Sequence, residues 1–259
     1  MINTNTSIAS MLSGLYSTNG SQQTQLESQI ASGKRVVNPS DDFGAYVKSS
    51  ALNADISANQ VANQDLQNAA GMVSYATQVG NDIAADFTQL QNLATTYGAT
   101  TDATQQGALA TQYNALITQI GNTISDAMYN GTAVYNKTTL ETASSNSGGG
   151  TIAVAATAVG STAAINNITT ATATDIQNEI NNCQTYVADM GSYANEINTA
   201  ISLNNTAVSS DQATISALTD DNQAEDMTNL TSLQVQQEAI VSMMSQANSS
   251  QAAIAKLFA

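Results

Sequence analysis

Apolar residues recur along this chain in steps of three and four over most of its length, and one stretch near the middle breaks the pattern. Ile8, Leu12, Leu15, Leu26 and Ile30 fall on one helical face, with polar Asn19 and Gln22 at the intermediate places, so the spacing predicts a first helix whose seam is interrupted. Gly33 is suited to cap its C-terminal end. Pro39 stops helical continuation, and Ser40 or Asp41 is placed to cap the helix that follows. From about residue 42 to 97 the pattern is sustained: Leu66, Ala69, Val73, Ala76, Gly80, Ile83, Phe87, Leu90, Ala94 and Tyr97 alternate steps of four and three, the 3.5-residue repeat of a coiled seam. A helix of that extent is ~80 Å long. After a turn near 98–105 a second stripe runs through Leu109, Tyr113, Leu116, Ile120, Thr123 and Ala127.

Residues 130–174 lose the helical period. Asn130-Gly131 is a turn signal, residues 138–142 and 151–154 read as two short strands, and the glycine-rich 144–150 joins them, which predicts a small β hairpin within about 131–172. A third long stripe follows from a cap at Thr174 or Asp175, through Ile176, Ile180, Cys183, Val187, Met190, Ala194, Ile197 and Ile201. Polar Asn204 takes the next seam place, where one such residue sets register, before Val208, Ile215 and Leu218. The last helix opens at the acidic run 220–226. It carries Leu230, Leu233, Ile240, Met244, Ala247, Ile254, Leu257 and Phe258, with Gln237 and Gln251 in the seam.

The expected fold is mainly α: a long antiparallel helical coiled-coil rod with a small β hairpin, residues 41–219 forming the rod and residues 1–40 and 220–259 a terminal core. Three central helices can bury one another's stripes. The first and last helices have only each other, across seams holding Asn19, Gln22, Gln237 and Gln251. Apolar burial contributes about 25 cal/mol per Å², against ordering costs of roughly 1–2 kcal/mol per residue. Both termini are therefore expected to be loose in the monomer and to order when copies pack together.

Composition narrows the function classes. The chain has 20 acidic and 5 basic residues, a net charge of −15, with Lys34, Arg35, Lys48, Lys137 and Lys256 as its cations. Nucleic-acid binding requires a basic stripe that displaces counterions, and an anionic membrane requires the same, so neither partner is expected. Histidine is absent, which removes Ser/His and Cys/His catalysis and His-ligated zinc; no enzyme, metal or cofactor is expected. Asp41-Asp42 and Asp220-Asp221 are adjacent pairs whose side chains diverge on a helix, and they read as helix-start caps. Cys183 is single and falls at a seam position, where a thiol packs as a small hydrophobe. The first 14 residues lack the basic n-region and apolar core of a cleavable leader, and no run approaches the roughly 20 apolar residues of a membrane span.

The two ends carry a family resemblance. Ile2-Asn3-Thr4-Asn5, Ile30-Ala31-Ser32-Gly33-Lys34-Arg35-Val36 and Asn38-Pro39-Ser40-Asp41-Asp42 are similar to the opening, the Leu-Ser-Ser-Gly-x-Arg-Ile signature and the following segment of bacterial flagellins. Ser245-Gln246-Ala247-Asn248 with Gln251, Ile254 and Leu257-Phe258 resembles the flagellin C-terminus, and Tyr129-Asn130-Gly131 its Phe-Asn-Gly turn. The resemblance covers about 1–131 and 175–259. It implies a filament subunit that polymerises with itself, is exported without cleavage through the flagellar type III apparatus to the cell exterior, and meets an export chaperone and flagellar cap and junction proteins. It also implies that the terminal helices pair into the coiled coil of an inner tube, and that no separate outer domains are present, since about 45 residues lie between the helical parts.

Phe43-Gly44-Ala45 departs from the family's Ala-Ala-Gly after Asp41-Asp42. In the segment similar to the one read by an innate immune receptor, Leu93 is retained while Gln89 and Gln119 stand where the family carries an arginine and a glutamate, which implies weakened recognition through lost charge-assisted contacts. The competing reading is a hook-filament junction protein, whose ends are related; the short middle and the complete 247–258 motif favour the filament subunit. Hydrogen exchange on dilute monomer tests the loose-termini expectation: amides at Leu12 and Leu233 exchange fast while those around Leu66 are protected, and strong protection at both termini would refute it.

Overall fold

The computed structural model describes residues 2–135, 141–146, 148–155, 162 and 165–257, and for 2–6, 141–142, 251 and 253–257 the backbone alone. The described residues are mainly α. Helices α1 (Ile2–Ser32), α2 (Phe43–Ala99) and α3 (Ala103–Asp126) are followed by four short strands, β1 (Met128–Tyr129), β2 (Thr132–Ala133), β3 (Glu141–Ser144) and β4 (Thr151–Val154), and then by α4 (Ala173–Thr219) and α5 (Gln223–Leu257). Two compact units emerge, one from residues 1–54 with 210–259, the other from residues 55–209.

The helix ends follow capping chemistry, at positions slightly different from those the sequence suggests. Gly33 has φ +67° and closes α1, with the Lys34 amide returning to the Gln29 carbonyl at 3.2 Å. The N-cap of α2 is Asp42, whose Oδ1 accepts the Ala45 amide at 2.9 Å. Asp41 instead holds the preceding turn, its Oδ2 accepting the amides of Val37 and Asn38 at 3.0 and 2.7 Å. Asp102 caps α3 through the amides of Thr104 and Gln105. For α4 the cap is Thr172 and not Thr174 or Asp175. Thr172 and Asp175 exchange side-chain to backbone bonds at 3.1 Å each, a reciprocal capping box, and the Thr172 hydroxyl, donating to Asp175 Oδ2 at 2.6 Å, followed by the Thr172 amide, holds the Asp175 carboxyl below its ordinary range.

The irregular middle contains two hairpins where the sequence suggested one. Asn130 and Gly131, at φ 48° and 78°, turn β1 into β2 with Met128 opposite Ala133. In the second, β3 pairs antiparallel with β4, Glu141 facing Val154 and Ser144 facing Thr151. The expected strand 138–142 lies partly outside the described residues; its described part begins at Glu141 and extends to Ser144. The Ser145 amide then bonds to the Gly150 carbonyl at 2.7 Å and shortens the loop.

In the unit of residues 55–209 the core is continuous. Leu66, Val73, Ile83, Phe87 and Leu90 of α2, Tyr113, Leu116 and Ile120 of α3, and Ile176, Ile180, Cys183, Met190 and Ile197 of α4 are buried, while Leu109, Val187 and Ile201 are half-buried. Val134, Tyr135, Ala143, Ile152, Val154, Ile165 and Ile168 join the same core from the segment between α3 and α4. Three tyrosines fix that segment. Tyr113 Oη donates to the Ile165 carbonyl at 2.6 Å, Tyr186 Oη donates to the Val134 carbonyl at 2.6 Å, and Tyr135 Oη lies 3.1 Å from Cys183 Sγ. Burial pushes the Tyr113 hydroxyl up to about 12 and the Cys183 thiol to about 11, so both stay protonated at neutral pH and the cysteine is chemically quiet.

Tyr186 falls outside the four/three line that passes through Cys183, Val187 and Met190. It is nonetheless fully buried, because a helix facing two neighbours buries a stripe wider than a two-helix seam. Gly80 makes room for it: a Cβ there would lie 2.8 Å from Val187 Cγ2 and 2.9 Å from Tyr186 Cδ1. Gly121 in α3 has nothing within 4 Å of a Cβ. Urea unfolding should separate the two glycines. Gly121→Ala gains about 0.5–1 kcal/mol from helix propensity, whereas Gly80→Val loses about 1–3 kcal/mol through overpacking against a tyrosine that its hydrogen bond holds in place.

Candidate assembly surfaces

In the unit of residues 1–54 and 210–259, α1 and α5 run antiparallel. Gln223 Nε2 reaches the Ile30 carbonyl at 3.4 Å, and further along Asn19 Nδ2 reaches the Leu233 carbonyl at 3.1 Å. The seam between them is largely amide. Asn19 is buried, and Gln23 Nε2 donates to Asn19 Oδ1 at 2.7 Å and to Gln237 Oε1 at 3.1 Å. The sequence reading placed Gln22 in this seam; Gln22 is exposed and Gln23 is there instead. From Leu12, Asn19 and Leu26, each seven apart, two lines of intermediate places are open, one through Leu15 and Gln22 and the other through Tyr16 and Gln23. The α5 contact takes Gln23.

The terminal residues read as packing positions divide into two sets. Leu12 and Ile240 are buried, and Leu26, Ile30, Leu230, Leu233 and Ala247 are half-buried. Ile8, Leu15 and Met244 are exposed, as are Met11, Tyr16, Met227, Val235, Val241 and Met243, which the periodicity alone did not single out. Met11 is 60% and Val235 62% exposed. For Ile254 and Leu257 the backbone is helical, and Phe258 lies outside the described residues. Two helices thus bury few large apolar side chains against each other and present many outward.

The corner where α4 passes into α5 is tied to the segment after α1. The Arg35 amide bonds to the Thr219 carbonyl at 2.7 Å, Arg35 Nη2 to the Leu218 carbonyl at 2.8 Å, and the Asp221 amide to the Gly33 carbonyl at 3.2 Å. Lys34 and Asp220 form an antiparallel bridge, and Gln29 Nε2 donates to the Arg35 carbonyl at 2.7 Å. Three carboxylates crowd this corner. Asp221 Oδ2 is buried, and Asp226 stands against Asp221 with Glu225 nearby.

A third surface lies between α2 and α3. Gln89 and Gln119 are exposed, Leu93 is half-buried, and all three line one shallow groove with Asn92, Thr96 and Gln112. Gln119 Nε2 bonds to Asp86 Oδ2 at 3.3 Å. Desolvation raises the Asp86 carboxyl, the Gln119 bond partly lowers it, and the neighbouring Asp82 charge raises it again. A second groove along the same helix pair, of about 540 Å³, is lined by Tyr75, Val79, Asp82, Thr118, Asn122 and Asp126. Among the described residues no cluster of side chains is suited to hold a metal ion, and no helix is long and apolar enough to cross a membrane.

The corner has a definite pH dependence. Desolvation first, then the hydrogen bond and charge of Asp221 and the charge of Glu225, raise the Asp226 carboxyl above its usual 3.8. A carboxyl raised by folding destabilises the fold above its folded pKa, and that penalty disappears as pH falls below the unfolded value. Asp226→Asn should therefore raise the thermal midpoint at pH 7 and leave it unchanged below pH 3.8; equal midpoints at both pH values would contradict this.

The family of the chain follows from comparison with known proteins. The family model for the bacterial flagellin N-terminal helical region matches residues 2–140, and that for the bacterial flagellin C-terminal helical region matches residues 170–258. A flagellin of Brucella melitensis biotype 1 is 27% identical over 278 aligned residues, covering 98% of each chain. Flagellin FljM of Caulobacter vibrioides is 25% identical over 268, covering 99% of this chain and 98% of the relative. Matched at both ends and along almost its whole length, the chain belongs to the bacterial flagellin family.

Proposed function

We propose that this chain is a structural subunit, not an enzyme, that polymerises into a helical flagellar filament serving swimming motility outside the cell. The observation that carries the reading is the exposed apolar set on α1 and α5, where Ile8, Met11, Leu15, Val235, Val241 and Met243 face away from the helix pair. Large apolar side chains left exposed in this number mark surface that other protein covers. On two antiparallel helices whose mutual seam is amide-rich, the natural cover is the same pair of helices from other copies. The residues that pack the filament core are then Ile8, Leu12, Leu15, Leu26, Ile30, Leu230, Leu233, Ile240, Met244, Ala247, Ile254, Leu257 and Phe258. Head-to-tail contacts between unlike faces that fail to close produce a helix and not a ring.

Delivery outside the cell through the flagellar type III apparatus, with an export chaperone, and incorporation between junction and cap proteins, belong to the same reading. Weak engagement of the innate immune receptor follows from the neutral amides Gln89 and Gln119 beside Leu93. No feature of the surfaces favours a low-copy junction adaptor.

Assembly in vitro tests the proposal. Purified monomer, seeded with sheared filament, should elongate into long helical filaments seen by electron microscopy. A net charge of −15 per subunit makes repulsion oppose elongation at low salt. The screening length falls from about 30 Å at 0.01 M to 10 Å at 0.1 M salt, so the elongation rate should rise across that range. A finite ring, an inert monomer or a rate indifferent to salt would count against it.

A further inference from the structure

Sulfur is unevenly placed in this chain, which has eight methionines and one cysteine. Cys183 is fully buried, and burial pushes its thiol up to about 11, so the thiolate that peroxides attack is scarce at neutral pH. Met72 and Met190 are packed into the core of the 55–209 unit, at 1% and 0% exposed. Met11 on α1 and Met227, Met243 and Met244 on α5 are exposed, the first two at 60% each. Among the described residues these four make up nearly half of the large apolar side chains open to solvent on the two terminal helices, the others being Ile8, Leu15, Tyr16, Val235 and Val241. Met128, on β1, is exposed as well but belongs to neither helix.

Of the aliphatic side chains in that set, only the thioether is converted by a mild two-electron oxidant into a polar group. Hydrogen peroxide transfers one oxygen atom to the sulfur: the sulfur is oxidised to the sulfoxide, the peroxide is reduced to water, and no bond in the chain breaks. The sulfoxide oxygen is an acceptor that must be hydrogen-bonded when it leaves water, so covering it with the apolar surface of another copy changes from favourable to costly. A dithiol reductase reverses the step, removing the oxygen as water while its own thiols are oxidised to a disulfide.

We infer that Met11, Met227, Met243 and Met244 form an oxidant-sensitive modification site on α1 and α5, whose conversion to sulfoxides blocks addition of the subunit to a filament while the 55–209 unit stays folded. The inference rests on the self-assembly reading above and adds to it a reversible chemical control of the same surface. Leucine at these places would supply similar apolar area without that control. The free subunit is the sensitive state, because the copies that cover the four thioethers in a filament also exclude the oxidant.

Seeded elongation of the full chain tests it, with hydrogen peroxide at a dose for which peptide mass spectrometry shows the four methionines oxidised and Met72 and Met190 intact. The critical concentration of treated wild type should rise about tenfold, with the thermal midpoint of the monomer unchanged. Met11→Leu/Met227→Leu/Met243→Leu/Met244→Leu conserves volume and should elongate after treatment within about twofold of its untreated rate, whereas Met128→Leu alone should leave the peroxide effect in place. Reducing the treated wild type with two methionine sulfoxide reductases, one for each epimer, needs no substitution and should return the critical concentration to within about twofold of the untreated value. Assembled filaments should be oxidised at the four positions about tenfold more slowly than monomer. Oxidised wild type that elongates normally, a leucine variant inhibited as strongly as wild type, elongation still lost after the methionines are restored, or equal oxidation of filament and monomer overturns the inference and leaves the assembly reading intact. A wild type that never elongates, treated or untreated, removes both.

Discussion

The constraint on which the terminal helices depend is that two of them cannot bury enough apolar surface on one another. Sequence places amides where a self-sufficient coiled coil has leucine: Asn19 and Gln23 on α1, Gln237 on α5. The structure satisfies these groups with one another and with the Leu233 carbonyl. Satisfied amides avoid the cost of buried unpaired polar groups, and they specify an antiparallel register, but their net contribution is small beside that of buried leucine. What remains is a pair of helices with a specified register, little intrinsic adhesion and an outer surface rich in Met, Val, Ile and Leu. On the proposed assembly reading that balance keeps the pair from completing its packing within one subunit and leaves the rest to neighbouring copies.

The unit of residues 55–209 solves the opposite problem. Its helices bury a continuous core, and its polar groups are used as pins. Asn204, nearly fully buried, donates to Asn63 Oδ1 at 3.0 Å and to the Ser145 carbonyl at 2.8 Å, linking α4 to α2 and to the end of β3 through a single amide. The tyrosine hydroxyls of α3 and α4 do the same for the carbonyls of Ile165 and Val134. Each of these carbonyls lies outside the named strands, and a long side chain of a helix donates to it. A short connection without a core of its own is thereby held against the helices.

Much of this is legible in the sequence because helical periodicity is a backbone property that burial only reinforces. The positions of Leu66, Phe87, Tyr113, Ile176 and Met190 follow from four/three spacing, and the Asn130-Gly131 turn from its demand for positive φ. Asn204 announces itself as the polar residue in an apolar line. What was not legible depends on a third partner. Tyr186 is buried because α4 faces two surfaces at once, and Gly80 is small because Tyr186 is large; neither is apparent from a single stripe. Gln23 replaces Gln22 because the choice between two equally spaced lines is made by α5. Asp42, not Asp41, caps α2 because Asp41 is already committed to the turn around Pro39, a competition between two nearby acceptors that spacing does not resolve.

The distribution of charge shows why local and assembled structure must be considered together. Within one chain the acids contribute almost nothing to packing: the described residues hold a single ion pair, Arg35 with Asp42, and its two side chains are about half exposed, where such pairs are worth little. Twenty acids against five bases therefore do not hold this fold together. Their effect is on encounter between copies, where uniform negative charge discourages random association and any basic segment becomes the place at which approach is permitted. That three of the five cations fall within residues 34–48 gives this segment an electrostatic identity of its own. A surface that repels itself nearly everywhere makes the few attractive contacts decisive, so specificity of assembly is obtained without a large stabilising interface in the free subunit.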